Sequence, residues 1–248
     1  MEAAARLRRE LLEGFRNGSG APPRFFFAPG RANLLGAHLD YNGGIVLPVA
    51  LSKGTYGAFS LRNDGLLRLH SAQFPAEEVQ MPLEELPPGR TTRWSAYVEG
   101  VLYAIQKKWG PLPGVEAGFC SDLPIAKGLS SSASVESVSV LALTRLMGID
   151  ATPDEMIGLA HWAENEYAGV RCGILDQAAI LLAQEDTVLL LDCLEQTREH
   201  LPLDSGQVVV AVMDTGVRRE LARSAFNQRV AECTLALVAD HVLGVTPG

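Results

Sequence analysis

Residues Asp122 to Ser134 read DLPIAKGLSSSAS and constrain this chain more than any other stretch. A Pro/Gly segment runs into four serines and two alanines, and the apolar, helix-compatible run VESVSVLALTRLMG follows. A loop that opens into a helix N-terminus presents backbone N–H groups without intrahelical partners, at the positive end of the helix dipole. That arrangement binds phosphate. The hydroxyls of Ser130, Ser131 and Ser132 add donors and one Mg²⁺ ligand. The competing reading is a serine-rich cap on an ordinary helix, since Ser is favoured there.

At 248 residues and 47% hydrophobic content the chain has ample core for one large domain or two small ones. A net charge of −8 without Lys/Arg runs argues against nucleic acid or an anionic membrane as partner. A small polyanion such as a nucleotide remains compatible, because one loop can be electropositive on an acidic protein. Cys120, Cys172, Cys193 and Cys233 lie too far apart for zinc or C-x-x-C redox spacing and suit a reducing cytoplasm. The N-terminus MEAAARLRRELLEGF is charged and amphipathic, unlike a signal peptide, and no apolar run is long enough to span a bilayer.

Along the chain, residues 2–15 read as a helix ended by Gly14 or the cluster at 17–20. Phe25–Phe27 read as a buried strand stopped by Pro29-Gly30, and Ile45–Leu51 and Thr55–Leu61 as two further strands. Asn63-Asp64-Gly65 predicts a hairpin turn before Leu66–His70. The Pro-rich, acidic stretch 75–93 predicts a surface loop. Helical periodicity from Trp94 to Lys108 puts Trp94, Tyr97, Val98, Val101, Leu102 and Ile105 on one face. Val115–Cys120 predicts a strand feeding the serine loop, and Ser131–Met147 the helix after it. Thr152-Pro153-Asp154-Glu155 caps a helix reaching Tyr167. Thr187–Leu191 and Val208–Met213 read as strands and Glu220–His241 as a last long helix. Strands mixed with helices without regular βαβ alternation predict an α+β fold.

Three further segments carry chemistry. Ala28–Leu47, APGRANLLGAHLDYNGGIVL, crowds Arg31, Asn33, His38, Asp40, Tyr41 and Asn42 into a Gly-punctuated loop. Asp40 accepts from vicinal hydroxyls and His38 donates or accepts, as a polyol or sugar site requires, although Asp and Asn also cap their own backbone in turns. His161–Gln177, HWAENEYAGVRCGILDQ, offers Glu164 near a helix end and Asp176 after a Gly loop. Glu164 is placed to complete a Mg²⁺ shell with Ser132, and Asp176 to orient or deprotonate an attacking hydroxyl. The plainer alternatives are a solvated helix face for Glu164 and an N-cap for Asp176. Met213–Cys233 breaks at Thr215-Gly216 into a helix with Arg218, Arg219, Arg223 and Arg229, best read as a solvated face, while Phe226 and Asn227 sit where they can edge a pocket.

In this order the four segments resemble galactokinases of the galacto-, homoserine, mevalonate and phosphomevalonate (GHMP) kinase superfamily. The family pattern G-R-x-N-x-x-G-E-H-x-D-Y-x-x-G-x-V-L-P stands here as GRANLLGAHLDYNGGIVLP, Gly30–Pro48. PIAKGLSSSA, CGILDQ and the Asp214–Cys233 stretch match the other three motifs. The resemblance, from about Phe25 to Cys233, implies the N-terminal domain of the GHMP kinase fold, mixed sheets with helices packed on them. It implies a core over about 25–205 and the start of a C-terminal domain at 206–248. It further implies an ATP- and Mg²⁺-dependent sugar 1-kinase in the cytoplasm. Lys127, Gly128, Leu129, Ser130, Ser131, Ser132 and Ala133 would wrap the triphosphate, and Ser132 and Glu164 would hold Mg²⁺. Asp176 would face the anomeric hydroxyl, with Arg31 beside it to stabilise charge on the moving phosphoryl group. His38, Asp40 and the backbone of Gly173 would bind sugar hydroxyls.

The chain departs from that pattern in ways that bear on substrate. Ala37 replaces a Glu that contacts the sugar 6-hydroxyl, and Phe226 replaces a Tyr at the sugar. Ala126 and Lys127 stand near the usual first Gly of the phosphate loop, where Lys127 can add a phosphate contact. A Glu at 37 would repel a carboxylate at C6 whereas Ala would not, and plant galacturonate kinases look similar here. One such contact is worth about 2–5 kcal/mol, enough to decide between substrates. Galactose, galacturonate and a non-catalytic sugar-sensing role thus stay open. Family members continue into a C-terminal domain with a third Gly-rich motif, so the chain is expected to be an N-terminal portion. The absent half is expected to supply part of the cleft, leaving a poor kinase with an exposed apolar face.

Overall fold

The computed structural model describes residues 7, 9–16, 22–89, 93–124, 127–204, 206–214 and 222–243, the side chains of the last span over 226–237. Ala126, the 17–20 cluster and most of residues 2–8 lie outside the described residues, as do Thr215-Gly216, Arg218, Arg219 and the Arg223 side chain. The fold is α+β, as expected. Strands β1 (Arg24–Leu35), β2 (Ile45–Leu61), β3 (Leu66–Ser71), β4 (Val79–Pro82), β5 (Val115–Ser121), β6 (Thr187–Asp192) and β7 (Arg198–Pro202) form one sheet. Its order is β4-β3-β5-β2-β6-β7, with β1 also on β2. All pairings are antiparallel except β3 with β5. The α-helices among the described residues include α1 (Ala96–Trp109), α2 (Ser131–Met147), α3 (Pro153–Trp162), α4 (Leu175–Leu181) and α5 (Ala222–Leu243). No helix among the described residues is long and apolar enough to cross a membrane.

Several strand expectations need correction. Ile45–Leu51 and Thr55–Leu61 are one 17-residue strand. Its second half pairs with β5 and its first two residues with β6, so a single strand serves both ends of the sheet. β1 does not stop at Pro29-Gly30; a register shift between Pro29 and Arg31 lets it continue. A bulge of this kind re-aims the side chain that follows, here Arg31. The turn at Asn63–Gly65 forms no hairpin, because β5 lies between β2 and β3. Its backbone bonds instead to the segment before β5: Arg62 N to Gly114 O, 2.9 Å, and Gly65 N to Pro113 O, 3.0 Å. The stretch 75–93 includes β4, and β7 joins the sheet where none was expected. Val208–Met213 is not a strand; Val209 and Met213 are each 88% exposed.

The core fills the space between sheet and helices. Phe59, Leu67, Leu69, Val115, Ala117 and Phe119 meet Val98, Val101, Leu102 and Ile105 of α1 and Val138, Val140 and Leu143 of α2. α2 is central, touching β1, β2, α1, α3 and α4. It ends at Gly148 in the left-handed region, φ 67°, whose N–H returns to Thr144 O. Being enclosed, it carries buried Ser134, Glu136, Ser137, Ser139 and Thr144 instead of a polar outer stripe. α3 begins with a reciprocal Thr152/Glu155 capping box and Pro153. The helix expected to run to Tyr167 leaves α-geometry at Ala163; Ala163–Tyr167 is one π-helical turn, closed by Ala168 N to Ala163 O at 2.9 Å.

Ser134 ties α2 to the sheet. Its Oγ donates to Ala28 O at 2.9 Å and accepts from Thr55 N at 3.1 Å, bridging β1 and β2. Ser134→Ala strands both backbone groups in the interior and is expected to cost about 1–3 kcal/mol. Ser139 Oγ only bonds back to Val135 O within its own helix, so Ser139→Ala should cost less than about 1 kcal/mol. Urea unfolding of the two variants measures the difference; equal losses would contradict the bridging role.

Candidate active site

The serine loop and the Arg31 strand meet at a cleft of about 530 Å³. Arg31 projects from β1 just past the bulge. Its Nε donates to Asp176 Oδ1 at 2.7 Å and its Nη2 lies 2.6 Å from the same oxygen. Its Nη1 donates to Gly128 O at 2.8 Å, and its backbone N to Leu129 O at 3.3 Å. Ser130 Oγ donates to Asp176 Oδ2 at 2.5 Å. One guanidinium and one carboxylate thereby join β1, the serine loop and α4. Asp176 is not the N-cap of α4; Ile174 holds that position and Asp176 stands in the first turn.

The serines do not cap their own helix. Ser130 occupies the N-cap position of α2 in the left-handed region, φ 55° and ψ 49°, and its side chain makes no capping bond to the first-turn N–H groups. Two of the three hydroxyls point to carboxylates instead: Ser130 to Asp176, and Ser132 to Glu164 Oε1 at 2.8 Å. The uncapped N–H groups keep their capacity for an incoming anion. The π-turn brings Glu164 inward, so it is buried and not on a solvated face. Its other oxygen accepts from Gln177 Nε2 at 2.6 Å and lies 3.4 Å from Cys172 Sγ. Burial, with the Asp176 charge adding to it, raises the Glu164 carboxyl above its ordinary range. Burial and then the Glu164 charge push the Cys172 thiol well up.

A second cluster adjoins the first. Gly173 N donates to Asp40 Oδ2 at 3.1 Å. Burial and the nearby Asp176 charge raise the Asp40 carboxyl. His38, at φ 65°, shares a 2.8 Å hydrogen bond with Tyr41 OH. Phe226 of α5 packs on both rings, at 5.8 and 5.6 Å between centroids. Ala37 and His38 are exposed beside this cluster. Of the remaining expected residues, Gly128, Ser131 and Ser132 line the cleft, while Leu129 and Ala133 are buried. Lys127 does not line it; its Nζ pairs with Asp214 Oδ2 at 2.8 Å.

The far end of the cleft was not read from the sequence. Phe74, Arg93, Trp94, Tyr97 and Phe119 line it next to Val135 and Leu123. The Phe74 and Trp94 rings lie parallel, 6.2 Å apart, and Trp94 Nε1 donates to Glu77 O at 3.0 Å. Trp94 and Tyr97 have core-like helical spacing, and Phe74 has no distinguishing neighbours. Only the fold gives them a common wall.

Known proteins share this fold and parts of this sequence. The profile of the GHMP kinases N terminal domain matches residues 96–184, and the galactokinase galactose-binding signature matches residues 13–61. A galactokinase of Clostridium tetani is 37% identical over 93% of this chain and 58% of its own length. One of Levilactobacillus brevis is 40% identical over 88% of this chain and 57% of its own. The chain spans a little over half the length of the curated relatives it matches. The structure of Lactococcus lactis galactokinase complexed with galactose superposes with a TM-score of 0.85 at 32% identity, covering 98% of this chain and 62% of that one. Methanococcus jannaschii mevalonate kinase shares the fold at a TM-score of 0.66 and 16% identity, over 92% of this chain and 74% of its own.

Gly173 allows the Asp40 contact because a Cβ there would lie 2.5 Å from Asp40 Oδ2 and 2.6 Å from the Asp40 carbonyl carbon. Gly173→Ala is therefore expected to displace the Asp40 turn at a cost of about 1–3 kcal/mol. Thermal unfolding checks this; an unchanged midpoint would show that the two segments do not need this close approach.

Proposed function

We propose that this chain, which belongs to the galactokinase family, builds the sugar- and phosphate-facing part of a kinase that phosphorylates the anomeric C1 hydroxyl of galactose from ATP. The observation that carries the reading is the convergence of Arg31, Ser130 and Asp176 at the mouth of an uncapped, Gly-preceded helix. The galactose-binding signature over residues 13–61 supports a sugar on the Asp40 side. Phosphoryl transfer calls for positioning and electrostatic stabilisation more than covalent chemistry. Gly128 to Ala133 and the first turn of α2 would cradle the phosphates. Asp176 would hold the attacking hydroxyl and receive its proton as the new P–O bond forms. Arg31, fixed against Asp176 and the Gly128 carbonyl, would face charge developing on the transferred group. His38, Asp40 and the Gly173 N–H would orient the sugar.

Ser132 Oγ and Glu164 Oε1 are hard oxygen donors within 2.8 Å of each other at the loop. They fit Mg²⁺, which takes one or two protein oxygens together with phosphate oxygens and water. Bound there, the cation would neutralise phosphate charge. The Phe74–Trp94 end of the cleft suits the flat face of the adenine base. The scattered free cysteines accord with a reducing cytoplasm. Residues 206–248 would begin the second domain of a whole kinase and bring Phe226 to the sugar rim.

Asp176→Ala is expected to lower kcat by at least about a hundredfold while ADP affinity stays within about threefold, since a positioned base contributes about 10²–10⁴. Trp94→Ala should do the converse, weakening ADP about tenfold or more through lost stacking, worth about 1–3 kcal/mol per base. Coupled-enzyme kinetics and calorimetry separate the two; an active Asp176→Ala enzyme would refute the assignment.

A second reading is favoured by Ala37 and Phe226, which leave neither a carboxylate nor a phenol at those positions. Under it the sugar is a uronic acid such as galacturonate. Side-by-side turnover of galactose and galacturonate with ATP and Mg²⁺ decides; a strong galactose preference removes the uronic-acid reading. Sugar-induced thermal stabilisation without turnover of either would indicate a sensing protein.

A further inference from the structure

One buried acid has no part in the mechanism above. Glu136 lies one helical turn from Ser132 on the same face of α2 and is fully buried. Its Oε2 accepts from Gln177 Nε2 at 3.1 Å, and that same nitrogen donates to Glu164 Oε2 at 2.6 Å. Glu164 Oε1 in turn accepts from Ser132 Oγ. The four side chains form one line of hydrogen bonds, from α2 through α4 and the π-turn back to α2. Along it, Glu136 Oε1, Gln177 Oε1 and the adjacent Ser137 Oγ have no hydrogen-bond partner among the described residues. Unpaired buried polar atoms are costly, and an apolar side chain at 136 would pack among its neighbours without that cost.

We propose that Glu136 is a positioning residue for the cation site: acting through the Gln177 amide, it fixes the Glu164 carboxylate toward Ser132. This rests on the reading of Ser132 and Glu164 as cation ligands. An amide nitrogen has two N–H bonds. With one directed to each carboxyl, the Gln177 amide cannot rotate freely, and its bond to Glu164 is aimed. Without Glu136 the amide keeps one acceptor and turns, and the Glu164 carboxylate loses its fixed plane. Gln177 directly follows Asp176, so the same constraint steadies the turn of α4 that faces the hydroxyl. Burial, with the Glu164 charge adding to it, keeps the Glu136 carboxyl well above its ordinary range. A neutral acid accepts from Gln177 through its carbonyl oxygen, as an amide does, so Glu136→Gln preserves the link and Glu136→Ala breaks it.

The test is Mn²⁺ binding to the ADP-saturated protein, with free Mn²⁺ counted by electron paramagnetic resonance, and cation-free ADP binding measured by calorimetry. Glu136→Ala is expected to weaken Mn²⁺ about tenfold to a hundredfold, the range for partners that orient metal ligands. Cation-free ADP affinity should not change. Glu136→Gln should recover the parental Mn²⁺ affinity to within about threefold. Gln177→Met, similar in volume and unable to bridge, should lose Mn²⁺ affinity as Glu136→Ala does, and it carries the test if Glu136→Ala fails to fold. Glu136→Ala combined with Glu164→Ala should bind Mn²⁺ no more weakly than Glu164→Ala alone. Parental Mn²⁺ affinity in Glu136→Ala or Gln177→Met, failure of Glu136→Gln to recover it, or additive losses would overturn the proposal. Unchanged Mn²⁺ binding in Glu164→Ala would overturn the ligand reading itself, and the positioning role with it.

Discussion

The contact between Arg31 and Asp176 is the constraint from which the site takes its shape. A single guanidinium spans three elements far apart in the chain, closing on the Asp176 carboxylate and the Gly128 carbonyl. Arginine suits this because its donors lie in a rigid plane with fixed directions, which a lysine ammonium lacks. The pair keeps some solvent contact, with side chains 16% and 21% exposed. It therefore avoids the full desolvation penalty of an interior ion pair and stays accessible to a ligand. The Ser130 hydroxyl satisfies the second Asp176 oxygen, so the carboxylate is held at both ends.

The parts of the fold legible in sequence were those dictated by local rules. Ser131–Met147 was readable at both ends, from its serine start and Gly148 stop, and the Thr152/Glu155 box is purely local. Reading failed where distant pairing decides geometry. Nothing within Ile45–Leu61 announces one continuous strand, since its interior Lys53-Gly54 resembles a turn. Pairing with β1 along most of its length, with β5 over its second half and with β6 at its start holds it extended. Asn63-Asp64-Gly65 has hairpin chemistry, yet a strand from fifty residues downstream occupies the place between its flanks. Pro29-Gly30 reads as a stop and acts as a bulge.

The site divides in the same way. Its serine-loop and carboxylate members lie in compact, ordered motifs, and residue types together with the family resemblance single them out as candidates. The wall of Phe74, Trp94 and Phe119 could not be singled out, because aromatic residues with helical or strand spacing read as core. Glu136 was equally hidden, as an acid in an apolar helix whose purpose appears only when α4 and the π-turn pack against it. Its helix keeps serines and an acid where an ordinary core helix would carry Leu or Val. That composition gives up packing energy for polar links to the sheet, through Ser134, and to α4, through Glu136.

The π-turn at Ala163–Tyr167 has a further implication. A segment wound with one residue too many holds its inward-facing acid by count as well as by chemistry. Shortening it by a residue would return the backbone to ordinary α-winding and re-aim the side chains within the turn by up to about a quarter-turn about the axis. Glu164 would then lose register with Ser132 and Gln177, though all three of those side chains remained present. Change of length, more than change of side chain, is what this corner of the molecule is least able to absorb.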